Sequence, residues 1–88
     1  MKYKIVLSKS SEKMLAKIEI GYYKKIEHML SELSNWPEVP ENFDIKKLMN
    51  EEATYRIRVG VYRIIFIKYE DCMIIEIADI ATRQNVYK

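Results

Sequence analysis

The chain has 88 residues, 49% of them hydrophobic and 32% charged, with a formal net charge of +2. That length fits a single domain over 1–88, and the composition excludes a disordered chain. No apolar run is long enough to span a bilayer, and the lone cysteine, Cys72, excludes an internal disulfide.

Met1-Lys2-Tyr3-Lys4-Ile5 leads straight into a strand-like pattern rather than a secretory signal, so a reducing cytoplasm is the expected compartment. Lys2 to Ser8 carries Ile5, Val6 and Leu7, which predicts a first strand. Ser8, Ser10 and Ser11 then offer helix N-caps. Leu15, Ile18, Tyr22, Ile26, Met29 and Leu33 follow at steps of three or four, which gives an apolar helical stripe. Gly21 interrupts it, so two helices over about 9–19 and 22–34 are expected, with one long helix as the alternative. Trp36-Pro37 and Val39-Pro40 end the helical region. Asn35 to Asp44 reads as a loop, and Ile45 to Leu48 as a short ordered segment.

Three strand patterns close the chain: Thr54–Val59, Tyr62–Tyr69 and Met73–Ile80, with turns at Val59-Gly60-Val61 and Glu70-Asp71. Cys72, at the start of the last apolar strand, reads as a small core or edge residue. The expected fold is α+β: an N-terminal strand, a helical hairpin, then a three-stranded antiparallel meander. Together they form one mixed sheet with helices on one face and a shallow, partly apolar groove on the other.

The charge is unevenly spread. Ala53 to Lys68 holds four basic residues and no acid; Ala81 to Lys88 adds Arg83 and Lys88, again without an acid. Alternation sets Tyr55, Ile57 and Val59 on one side of their strand and Arg56 and Arg58 on the other, about 6.8 Å apart. Arg63 follows just past the turn, within reach of the same face. Guanidinium groups bind phosphate in a bidentate fork, so these three arginines are candidates to surround a phosphodiester. The competing reading is an ordinary solvated strand face, which the lack of compensating acids in this segment weighs against.

Arg83 and Tyr87 form a second cluster, four residues apart in the tail. Nearby arginines favour a phenolate, which makes Tyr87 a candidate proton carrier; the alternative is a tyrosine covering the core edge. Lys46 and Lys47 could help dock a polyanion, although solvated faces are the default for such lysines. His28 lies off the helical stripe, and Glu51-Glu52 reads as turn solvation more than as a base. No glycine-rich phosphate loop, metal motif or nucleophile elbow is present.

Four segments together resemble the RelE family of the RelE/ParE toxins. They are Ser10-Ser11-Glu12-Lys13-Met14-Leu15, Ile45-Lys46-Lys47-Leu48, Tyr55-Arg56-Ile57-Arg58-Val59-Gly60-Val61-Tyr62-Arg63-Ile64-Ile65 and Ala78-Asp79-Ile80-Ala81-Thr82-Arg83-Gln84-Asn85-Val86-Tyr87. The resemblance implies a toxin of a type II toxin–antitoxin system that cleaves mRNA in the ribosomal A site with no metal or cofactor. Its implied partners are a cognate antitoxin, the ribosome and mRNA, and no membrane. It implies that Arg56, Arg58 and Arg63 stabilise the phosphate, that Arg83 supports the leaving group and that Tyr87 handles the 2′-hydroxyl proton. Lys46, Lys47, Lys68 and Lys88 are the expected RNA- or ribosome-binding residues.

Three positions depart from the family pattern. Arg56 and Arg58 stand where many relatives carry lysines, and an arginine does not give up its proton. Thr82 stands where many carry histidine or lysine. A gyrase-inhibiting toxin of the ParE kind, or a non-catalytic nucleic-acid-binding domain of the same fold, are the alternatives.

Overall fold

The computed structural model describes residues 2–48 and 52–82. The elements run β1 (Lys4–Leu7), α1 (Lys9–Lys17), α2 (Ile20–Leu33), β2 (Asp44–Lys47), β3 (Thr54–Val59), β4 (Tyr62–Tyr69) and β5 (Ile74–Thr82). They build one five-stranded sheet in the order β1-β5-β4-β3-β2. β1 pairs parallel to β5, and every other pairing is antiparallel. The α+β architecture is the expected one. The sheet has one strand more than expected, because the segment after the loop is an edge strand that already includes Asp44.

Ser8 starts α1 as its N-cap: its Oγ accepts from the Ser11 N–H at 3.1 Å. The break between the helices falls before Gly21. Ile18 and Glu19 are both extended, with ψ of 140° and 142°. Gly21 itself lies in the first turn of α2, where an added Cβ would meet only Glu19 Oε1 at 4.0 Å. Ile18 leaves the helix and turns into the core, so burial rather than glycine flexibility accompanies the break.

The core lies between the helices and one sheet face. Ile18, Ile26, Met29 and Leu33 come from the helical region and meet Ile57, Ile64, Phe66, Ile75, Ile77 and Ile80. Trp36 closes one end, 5.1 Å from the Tyr55 ring and 5.8 Å from Phe66.

Strict alternation along β5 would turn Asp79 inward with Ile75 and Ile77. A register shift prevents this: Ile65 pairs with Asp79 while Phe66 pairs with Ile77, which leaves Ala78 as the extra residue. Ile80 then joins the core and Asp79 is exposed on the opposite face. The start of α1 satisfies the carbonyls at this bulge. The Ser8 N–H and the buried Ser11 Oγ both donate to the Ile77 carbonyl, at 3.0 and 2.9 Å, and Ser8 Oγ donates to Ala78 at 3.0 Å.

The β3–β4 turn is Gly60-Val61, with Gly60 at φ +60° and the Tyr22 ring packed directly against it. The β4–β5 turn is longer than expected, running from Glu70 to Met73, with Met73 at φ +55°. Cys72 sits in this turn and is exposed, not at a core or strand-edge position.

Candidate phosphate-binding face

The sheet face away from the helices carries the arginines, and the strand registers place them in rows. Asp44 pairs with Arg58, Arg58 with Arg63, and Arg63 with Ala81. Two residues along, Lys46 pairs with Arg56, Arg56 with Ile65, and Ile65 with Asp79. Neighbouring strands lie about 4.8 Å apart and successive same-face residues about 6.8 Å. Arg56, Arg58 and Arg63 therefore occupy one small patch, as the alternation predicted.

Their environments differ. Arg56 is only 8% exposed, so it does not stand free on an open face. Its Nη1 is buried and makes no hydrogen bond among the described residues. The nearest anion is Asp44 Oδ2, at 3.5 Å from Arg56 Nη1 and 3.8 Å from Arg58 Nε. Both separations exceed the roughly 2.7–2.9 Å of a charge-assisted hydrogen bond. The carboxylate sits between the two guanidinium groups without closing on either. Arg58 remains open to solvent, with 42% of its side chain exposed, and Arg63 is half-buried with no ion pair among the described residues.

Asp44 corrects the reading that the arginine segment lacks a compensating acid: the acid comes from another strand. Its signal was the alternation Phe43-Asp44-Ile45-Lys46, a short strand pattern at the end of an apparent loop.

The lysines divide. Lys46 is exposed in the Arg56 row, whereas Lys47 is exposed on β2 in register with Tyr55, on the alternate face. Lys68 is not brought to the arginines. It lies in the helix-side register of β4, bonded to Glu70 at 2.9 Å and 5.8 Å from the centres of the Trp36 and Tyr55 rings. The Glu70 hydrogen bond holds its ammonium above the usual 10.5, against an opposing effect of burial. Further along the arginine-bearing face, Tyr69 Oη donates to Glu76 at 3.2 Å, which raises the phenol above its ordinary range.

Arg83, Tyr87 and Lys88 lie outside the described residues, as does Glu51. β5 is described as far as Thr82, which pairs with Tyr62 beside the Arg63–Ala81 pair. His28 is exposed and lines a cleft of about 270 Å³ with Lys25, Phe43 and Arg58, between α2 and the edge of β3.

Two facing guanidinium groups on a rigid sheet can hold an anion, and their fixed charge favours a state in which that anion gains charge. They are poor proton carriers.

No family model matches the chain. Over its whole length it is 32% identical to a Methanocaldococcus jannaschii protein named "Putative toxin RelE1", covering 98% of that protein. The chain belongs to the RelE toxin family. Solved structures agree with the membership. This RelE-family chain superposes on the archaeal RelE–RelB complex from Pyrococcus horikoshii with a TM-score of 0.83 and 27% identity, covering 94% of this chain and 97% of that one. The RelB–RelE antitoxin–toxin complex from Methanococcus jannaschii gives 0.78 and 28%, covering 93% and 94%.

Proposed function

We propose that this RelE-family chain is the toxin of a toxin–antitoxin pair and acts as a ribosome-dependent mRNA endoribonuclease. Family membership supports the toxin role, and the relatives solved in complex with RelB support a cognate antitoxin as partner. The observation that carries the nuclease reading is the placement of Arg58 directly opposite Arg63 beside the end of β5.

In this mechanism the scissile phosphate of mRNA in the A site lies over the Arg58–Arg63 pair. The ribose 2′-hydroxyl attacks phosphorus as its proton leaves, the bond to the 5′-oxygen breaks, and that oxygen takes up a proton. The products are a 2′,3′-cyclic phosphate and a 5′-hydroxyl end. Arg58 and Arg63 neutralise the charge that grows on the phosphorane oxygens. Arg56, with its guanidinium buried near Asp44, adds fixed positive charge behind them. Arg83 supports the leaving oxygen and Tyr87 handles the 2′-hydroxyl proton, since arginine cannot. Lys46 extends the cationic row toward the RNA backbone.

The test is primer extension on translating ribosomes given the purified protein, with a gyrase supercoiling assay alongside. Cuts at A-site codons with normal supercoiling support the proposal. Intact message with blocked supercoiling would overturn it in favour of the ParE-like activity.

A further inference from the structure

Asp44 lies beside two of the three candidate phosphate-binding arginines: Oδ2 is 3.5 Å from Arg56 Nη1 and 3.8 Å from Arg58 Nε. Three features separate it from a structural ion pair. Neither contact is short enough to be a charge-assisted hydrogen bond. Arg56 Nη1 is buried yet forms no hydrogen bond among the described residues, so the carboxylate leaves its donor capacity unused. Asp44 is itself 53% exposed at the start of an edge strand, free to move toward solvent.

We propose that Asp44 is a built-in competitor for the anion site, a carboxylate that weakens binding of phosphate anions to the arginine patch; this rests on the phosphate-clamp reading above. The physical basis is charge exchange. A diester carries one negative charge, so replacing the Asp44 carboxylate leaves the attraction to Arg56 and Arg58 nearly unchanged and adds repulsion from Asp44 itself. A dianion is drawn more strongly by the arginines but also meets more repulsion from Asp44, so the carboxylate weakens its binding too. Asp44 thereby limits wasteful binding of RNA that is not held in place by something else.

The test follows the side-chain Nε–H signals of Arg58 and Arg63 by NMR in the full-length protein. The probes are dimethyl phosphate, a monoanionic diester, and inorganic phosphate at mildly alkaline pH, where it is a dianion. Asp44→Asn is expected to bind dimethyl phosphate roughly three- to tenfold more tightly than the wild type, and inorganic phosphate more tightly by at least the same factor. Asp44→Glu keeps the charge and is expected to bind weakly, as the wild type does. Asp44→Ser serves if the asparagine variant does not fold. Unchanged or weaker binding by the neutral variants, with the arginine signals still responding, overturns the role of Asp44 and leaves the clamp standing. No response of either arginine in any of these proteins overturns both.

Discussion

Arg58 and Arg63 are register partners across the β3–β4 ladder, two like charges set opposite each other, and among the described residues only Arg58 of the two forms an ion pair, with Asp44 at 3.8 Å. Like charges directly opposite in an antiparallel pair are destabilising. A protein that needed only a stable sheet would gain by replacing one of them. Arg63→Gln is therefore expected to keep or slightly raise Tm, within about 4 °C of wild type. Sulfate, an anion that such a pair can bind, is expected to raise Tm more in the wild type than in the variant. Thermal melts with and without sulfate check both statements.

Gly60 is required by both conformation and space. Its φ of +60° is strained for a residue with a side chain, and a Cβ there would strike the Tyr22 ring. Gly60→Ala is expected to cost about 2–4 kcal/mol, the sum of left-handed strain and overpacking. Urea titration should show a lower midpoint with an unchanged slope.

Ser8 joins α1 to the β5 bulge. Ser8→Ala removes the N-cap and leaves the Ala78 carbonyl without the hydroxyl that donates to it. The expected cost is about 1–2 kcal/mol, read as a fall in Tm of roughly 4–8 °C for each kcal/mol.

Lys68 gives a pH signature. Its folded-state value is raised above 10.5, chiefly by the Glu70 hydrogen bond. Its contribution is fully present below the unfolded value and is lost as pH rises through the folded one. Wild type is therefore expected to lose stability above about pH 10.5 relative to Glu70→Gln, with the two curves parallel at neutral pH. The pair is near the surface and the effect is small. Denaturation midpoints across the alkaline range measure it.

Much of the fold was legible because its signals are local. Period-two alternation marked β3 and β4, and it put Arg56 and Arg58 on the same side because side-chain direction follows from position alone. What escaped depended on pairing between distant segments. β2 has only four residues, and its identity comes from its register with β3. Without that register, Asp44 could not be placed beside two arginines, nor Arg56 recognised as buried. The step of three from Ile77 to Ile80 carried the bulge, but a bulge shows only against the partner strand. Gly21 drew the helix break to itself because glycine is a common terminator, whereas two extended residues upstream make the turn. Lys68 counted with the arginines by sequence proximity, yet its even number places it on the other face of β4.

The most direct measurement is the rate of A-site message cleavage on translating ribosomes by wild type, Arg63→Ala and Lys68→Met, each shown to be folded. Both substitutions remove one positive charge from β4, on opposite faces of the sheet. If the Arg58–Arg63 pair holds the scissile phosphate, Arg63→Ala cuts at least about 100-fold more slowly, while Lys68→Met stays within severalfold of wild type. A folded Arg63→Ala protein that cleaves at the wild-type rate would contradict the account.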